Sequence, residues 1–334
     1  MTAKPFIALA MGDPAGISPE LTAKLVALDD VRNRARLVVI GDRRIFDEGA
    51  RVAGVAPQLT TVESSADFRA AKGDALFVDL GHLDPRDVQP KTATLAGGKF
   101  ALANYRHALE LARDGRVDAV CFTPFNKQAM RYARADYDDE IAFSAEVAGL
   151  KTPASEFNVL GELWNARVTS HIPLRDVAAK LSSERIHRAL TLTDACMRNA
   201  GFARPRIAVA GLNPHAGDGG NFGREEIDVI APVVAAGQRE GIAVEGPFPA
   251  DTVFLRAKAG AFDAVLTMYH DQGQIAMKLM GFDRGVTLLG GFPFPICTPA
   301  QGTAYDIAGQ GVASTGASRA AVLLAAEMAA RPGG

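Results

Sequence analysis

The sequence predicts an α/β protein built on a largely parallel sheet covered by helices. Short apolar runs at 6–11, 37–40, 75–79 and 117–122 alternate with stretches of helical periodicity such as 99–113. The first run passes through a glycine-containing turn straight into a helical stretch, 21–28. At 334 residues, with 48% hydrophobic and 22% charged side chains, the chain is long enough for two domains.

Taken in order, the strand at 6–11 runs into Gly12-Asp13-Pro14-Ala15-Gly16-Ile17-Ser18-Pro19-Glu20. Ser18 fits an N-cap, with Pro19 at the first helical position and Glu20 where the helix dipole favours a carboxylate. Such a turn can bring backbone N–H groups close to a ligand. It is neither a P-loop nor a Gly-x-Gly-x-x-Gly fingerprint, and a plain tight βα turn explains it equally well. Strand 117–122 ends at Thr123-Pro124-Phe125-Asn126-Lys127. Beyond a charged stretch, 131–140, a helix is expected at 142–150 and a strand pair at 156–161 and 166–170. Residues 183–199 read as an amphipathic helix capped by Ser182 or Ser183. Strands follow at 206–212 and 262–268, with a helix at 224–240 between them. The Gly- and Pro-rich stretch 285–298 reads as an irregular crossing segment, 302–311 as a loop, and 313–330 as the closing helix.

A net charge of −2 makes no electrostatic case for nucleic acid or an anionic membrane. Cys121, Cys196 and Cys297 are odd in number and far apart, matching no zinc spacing or disulfide framework, which suits a reducing compartment. The N-terminus lacks a basic region followed by an apolar one, and no apolar run approaches membrane-spanning length. The expectation is a cytoplasmic, soluble protein.

Three histidines follow predicted strands. His171 comes after 166–170, His215 lies in Asn213-Pro214-His215-Ala216-Gly217 after 206–212, and His270 follows 262–268 in Tyr269-His270-Asp271-Gln272-Gly273. Ligands of open α/β sheets sit at strand ends of this kind, and a divalent metal accepts three neutral imidazoles with a position left open. Capping, proton transfer and plain solvation compete for each histidine taken alone. His82, His107 and His187 suit surface or structural roles. Asp251 and Asp271 are candidate acceptors that orient imidazoles; an N-cap and a solvated turn carboxylate are the alternatives. Lys278, amid apolar neighbours, is either a snorkelling surface residue or a group that holds a substrate anion or relays a proton.

Together these segments resemble the 4-hydroxythreonine-4-phosphate dehydrogenase family of pyridoxal-phosphate biosynthesis (PdxA-like proteins). Matching stretches are Met11-Gly12-Asp13-Pro14-Ala15-Gly16-Ile17, His171-Ile172-Pro173-Leu174, Gly211-Leu212-Asn213-Pro214-His215-Ala216-Gly217 and Pro249-Ala250-Asp251-Thr252. Tyr269-His270-Asp271-Gln272-Gly273, the stretch 281–286 and Gly302-Thr303-Ala304-Tyr305-Asp306 continue the match in the same order. The resemblance implies a two-domain isocitrate/isopropylmalate dehydrogenase-like α/β fold, with three-layer α/β/α domains, a cleft between them and a homodimeric assembly. Residues 1–125 plus about 285–334 would form the cofactor-side domain, and 126–284 the metal, substrate and dimerisation domain. It also implies one divalent metal (Zn, Co, Mn or Mg) on His171, His215 and His270, one of them supplied by the partner subunit. NAD or NADP would lie near Gly12, Asp13, Gly302, Thr303 and Asp306.

The departures from the family pattern bear on substrate. Where the family shows Gly-His-Thr-Glu, this chain has Asp139-Glu140-Ile141-Ala142, so the substrate-contacting His and Thr become Glu140 and Ile141. Thr287 replaces an Asn, Ile296 an Arg and Gln301 a His, while Lys278 is retained. A phosphate monoester, with roughly −1.5 to −2 charges, seeks cationic or hydroxyl donors. Each lost charge-assisted bond costs about 1.5–3 kcal/mol. The expected enzyme is a metal-dependent NAD(P) dehydrogenase oxidising a small hydroxy acid, with or without decarboxylation, outside the family's usual phosphate pose. New phosphate contacts from Arg131 or Arg134 are the way around that conclusion. A cis-dihydrodiol carboxylate dehydrogenase of the same family is the alternative within the fold. A His-ligated hydrolase or lyase and a non-catalytic binding protein are the alternatives outside it.

Overall fold

Residues 3–331 are described in the computed structural model of the chain. In chain order the elements begin with β1 (Phe6–Ala10), α1 (Ser18–Ala27), α2 (Asp29–Arg34), β2 (Arg36–Gly41), α3 (Arg43–Ala53), β3 (Thr60–Val62) and β4 (Ala75–Asp79). Next come α4 (Leu95–Arg113), β5 (Ala119–Phe122), α5 (Lys127–Ala133), α6 (Glu140–Ala148), β6 (Ser155–Leu160) and β7 (Leu163–Arg167). They continue with α7 (Val177–Lys180), α8 (Ser183–Asn199), β8 (Ile207–Ala210), α9 (Ala231–Arg239), β9 (Val244–Phe248), α10 (Ala250–Lys258) and β10 (Ala264–Thr267). The last are α11 (His270–Gly281), β11 (Val286–Gly290), β12 (Ile296–Pro299) and α12 (Gly316–Ala329). The chain up to Ala154 and again from Val286 forms one unit, and Ser155–Gly285 forms the other.

In the first unit the strands stand in the order β3-β4-β2-β1-β5-β12-β11, all parallel except the antiparallel β12–β11 pair. Both faces of this sheet are covered, so its central strands are apolar at every position. On one face Ala8, Ile40, Leu76 and Phe122 pack against Tyr105 and Leu109 of α4 and Phe143 of α6. On the other, Phe77 meets Phe46 of α3, with ring centroids 5.4 Å apart, and Cys121 lies against Ala321 of α12. Side-chain caps start the helices: Thr94 Oγ1 accepts from Gly97 N at 3.0 Å before α4, and Asp139 Oδ1 from Ala142 N at 2.8 Å before α6.

The second unit orders its strands β6-β7-β10-β8-β9, with only β6–β7 antiparallel. Ala208, Val265, Phe254 and Met277 form the core between this sheet and helices α10 and α11. Helix α8, capped by Ser182 as expected, packs against β7 and β10.

Several expectations need correction. Ser18 does not cap α1: its Oγ accepts from Gly12 N at 2.8 Å and bonds to Thr123. The stretch 285–298 is not irregular but contains β11 and β12, paired from Val286↔Pro299 to Leu289↔Ile296; its prolines and glycines lie mostly in the connection between them. Residues 126–154 pack in the first unit, because Met130, Tyr137, Phe143 and Val147 fill its core beside Tyr105. His270 and Asp271 occupy the first turn of α11 and not a loop. The sequence reading also overlooks α3, β3, β9 and α10. Among the described residues no helix is long and apolar enough to cross a membrane. The three cysteines are buried and form no disulfide among the described residues.

Candidate active site

Strands β7, β10 and β8 are neighbours running parallel, and the chain leaving each of them carries one of the three histidines. Adjacent parallel strands deliver their ends to the same side of a sheet, where ligands of such folds bind. His171 and His270 come side by side, with ring centroids 5.6 Å apart and planes at 43°. His270 Nδ1 lies 2.6 Å from Asp271 Oδ1, an acceptor that assigns the proton to Nδ1 and leaves Nε2 free to ligate. His215 instead neighbours the exposed Phe222, at 6.1 Å between centroids. Among the described residues no three His, Cys, Asp or Glu side chains gather into a metal-holding group. The chain thus unites two imidazoles, a chemically suitable part of a divalent-metal donor set, and does not add the third.

Strained backbone marks these positions. His171 has φ 45° and His215 φ 53°, values that non-glycine residues adopt at a cost of order 1–3 kcal/mol. Around His215 the strain runs on: His215, Ala216, Gly217, Asp218 and Gly219 are all left-handed. The support for that turn is Glu226, only 3% exposed, which the sequence reading did not single out. Its Oε1 accepts from Leu212 N and Asn213 N, both at 2.7 Å, and its Oε2 from Asn213 Nδ2 at 2.9 Å. Gln272 adds a strut: its Oε1 accepts from Met268 N and its Nε2 donates to Gly211 O, both at 2.7 Å. It thereby ties the segment before His270 to the one before His215. Gly273 is required because a Cβ there would lie 2.2 Å from Asn165 Oδ1. Asp251 sits exposed in the first turn of α10. Lys278, exposed on α11, stands eight residues beyond His270, about 12 Å along the helix axis. His82, His107 and His187 take structural roles, stacked on Phe100, bonded to Ser64 and paired with Glu240 respectively.

In the first unit the Gly12 turn is built around a polar knot. Gly12 N donates to Ser18 Oγ and Thr123 Oγ1, and a Cβ on Gly12 would lie 2.3 Å from Pro124 O. Asp13 is buried; its Oδ1 accepts from Ala15 N, and its Oδ2 from the Tyr305 hydroxyl at 2.5 Å. Burial pushes the Asp13 carboxyl above its ordinary value, against the pull of those two bonds. Asn126 Nδ2 donates in turn to Tyr305 Oη at 2.9 Å. Thr303 O accepts from Ile17 N and Asp306 O from Lys91, while Gly302 is exposed with open space where a Cβ would stand. A cavity of about 270 Å³ opens beside the turn, walled by Ala15, Gly16, Glu20, Glu48, Val88 and Ala308.

The family model described as "Pyridoxal phosphate biosynthetic protein PdxA" matches residues 33–325. The chain belongs to the PdxA family. It is 64% identical over 326 residues, covering 98% of this chain and 94% of the relative, to the "Putative 4-hydroxythreonine-4-phosphate dehydrogenase 2" of Rhizobium meliloti strain 1021. It is 37% identical over 329 residues, 98% of each chain, to the D-threonate 4-phosphate dehydrogenase of Cupriavidus necator strain H16. Among solved structures, the 4-hydroxythreonine-4-phosphate dehydrogenase of Klebsiella pneumoniae superposes with a TM-score of 0.84 at 35% identity, covering 98% of this chain and 100% of the other. The α/β fold is therefore that of the PdxA family, and the family is one of dehydrogenases.

Within this PdxA-family chain, the positions that depart from the family pattern are mostly occupied structurally. Glu140 is buried at the start of α6, its carboxylate 3.3 Å from Lys127 Nζ. Ile141 packs against the core of the first unit. Ile296 has no exposed surface and is a core residue of β12, which removes its side chain from contact with any ligand. Thr287 is half-buried on β11 opposite Thr298. The Arg134 guanidinium is taken by Asp136 and Glu146. Arg131 stays exposed, donating to Tyr137 O.

Proposed function

We propose that this chain oxidises the secondary hydroxyl of a small hydroxy acid, with NAD or NADP accepting hydride and one divalent metal assisting. His171, His215 and His270 would hold the metal (Zn, Co, Mn or Mg). The observation that carries this reading is the imidazole pair His171–His270, with Asp271 fixing the His270 tautomer. The chemistry such a metal would supply is Lewis-acid polarisation of the substrate oxygen, which would make the hydroxyl more acidic. The chain's own part is to set His171 and His270 side by side, with Asp271 orienting the His270 ring, and to present His215 from its left-handed turn. Because one chain gathers two of the three rings, the third ligand comes from a second copy in a homodimer. Ile275 and Leu279, exposed and one turn apart on α11, give the helix that starts with His270 an apolar ridge for that contact. Lys278 is the candidate for carboxylate binding or proton relay, and Asp251 for orienting a ligating imidazole.

The cavity beside the Gly12–Asp13 turn is walled by Pro14, Ala15 and Gly16 of the turn and by Ala308 and Gly309, the neighbours in sequence of the proposed cofactor residues Gly12, Asp13, Gly302, Thr303 and Asp306, which themselves stand outside its lining. Two carboxylates, Glu20 and Glu48, line it, and no Lys or Arg does. An added 2′-phosphate would meet repulsion without a partner, which favours NAD over NADP. The relatives' names point to phosphorylated four-carbon acids. Glu140 beside Lys127 and the burial of Ile296 argue against the family's usual phosphate pose and for a hydroxyl or amino group at Glu140. The same features keep dihydrodiol carboxylates within the substrate class.

The test is a dehydrogenase screen with each metal and both cofactors, comparing phosphorylated and unphosphorylated four-carbon hydroxy acids with aromatic dihydrodiol acids. Reduced cofactor should accumulate only with metal present and more readily from NAD. His215→Ala should abolish turnover while leaving the circular dichroism spectrum unchanged. Turnover that persists within a few-fold of the parent would remove His215 from the site.

A further inference from the structure

A second cavity, of about 210 Å³, lies in the second unit and is lined by Val168, Thr169, Ser170, Ile172, Lys180 and Arg185. Three features give it a definite chemistry. The Ser170 hydroxyl is buried and has no hydrogen-bond partner among the described residues. Lys180, at the end of α7, and Arg185, in the first turn of α8, make no side-chain hydrogen bond or ion pair to any described residue. The carboxylates nearest them in sequence are engaged elsewhere: Glu184 by Arg188 and Asp176 by Arg175. Two uncompensated cations and an orphan hydroxyl around one small cavity form a donor set with no acceptor of its own.

We propose that this cavity is an oxyanion site of the phosphate class. An ammonium, a forked guanidinium and a hydroxyl, arriving from three different elements, suit the several oxygens of a tetrahedral dianion better than the two of a carboxylate. The site is separate from the imidazole pair. Ser170 and Ile172 line the cavity, and His171 between them does not. The bound anion therefore touches the segment on both sides of His171, whose backbone is left-handed, and steadies it there. The same chemistry serves inorganic phosphate or the terminal phosphate of a monoester.

The experiment is calorimetric titration of the full-length protein with inorganic phosphate, and separately with glycerol 3-phosphate, at constant ionic strength set with chloride. One saturable site per chain is expected. The tighter of the two ligands identifies the source. The double variant Lys180→Gln/Arg185→Gln should bind roughly tenfold more weakly per cation removed, and Lys180→Arg/Arg185→Lys should retain most of the affinity. Both positions are exposed, and circular dichroism checks that the variants fold. Amide exchange across 168–172 should slow with phosphate in the parent chain and not in the double glutamine variant. No saturable binding, or equal binding by the glutamine variant and the parent, overturns the proposal. Neither readout depends on turnover, so failure of the dehydrogenase reading leaves this result intact.

Discussion

Glu226 shows how one buried carboxylate can hold a strained site residue in place. Five successive left-handed residues are costly for an L-chain, at about 1–2 kcal/mol for each that is not glycine. Two backbone N–H groups and one side-chain amide bonded to a single carboxylate repay much of that, since bonds to a charged acceptor are worth about 1.5–3 kcal/mol each. Glu226→Gln keeps the shape but replaces one acceptor oxygen with a donor, which must face either the Leu212 and Asn213 amides or the Asn213 side-chain amide. We expect turnover to fall at least about tenfold, with a smaller loss of stability of about 1–3 kcal/mol. Weaker metal affinity, read by competition with a chelator, should accompany it. Glu226→Gln with unchanged metal affinity would make the residue a part of the scaffold alone.

At the scale of elements, Ile296 separates two descriptions of β12. Read by family pattern, position 296 faces substrate and its Arg was lost; read by packing, the side chain is sealed between sheet and helix. Ile296→Arg would bury an unpaired guanidinium, and a loss of at least about 3 kcal/mol is expected in urea unfolding. Thr287→Asn on the half-buried neighbouring strand should cost less than about 1 kcal/mol. A tolerated Ile296→Arg that gains affinity for a phosphorylated acid would restore the substrate-facing description. This case also shows what was legible in the chain. The apolar runs of β1, β5 and β10 and the histidines after β7, β8 and β10 were readable because strands buried on both faces leave an unbroken apolar signature. The Gly- and Pro-rich stretch containing β11 and β12 was not, since turn residues between two short strands mask their pairing. Glu226 was equally hidden, for its role depends on a backbone turn fourteen residues upstream that no spacing rule encodes. The partition of 126–154 depended on which sheet Tyr137 and Phe143 cover, a tertiary fact.

At the scale of the whole molecule, a metal held by residues from two copies predicts complementation between inactive chains. In the proposed twofold dimer each site would take two ligands from one chain and one from its partner. A mixed dimer lacking one ligand in each chain then carries either one intact site or none. It carries one when the two missing residues are ligands that a single site draws from different chains, because both defects then fall in the same site. Random exchange yields about half mixed dimers, so the recovered activity should approach a quarter of the parent's. The three pairings of His171→Ala, His215→Ala and His270→Ala chains can be unfolded and refolded together and assayed. Since His171 and His270 lie side by side in one chain, their pairing should stay inactive while both pairings with His215→Ala recover. Recovery in no pairing would mean that the ligands belong to one chain or to no metal site. Recovery of the His171–His270 pairing would show that their closeness within the chain is not the contact that holds the ion.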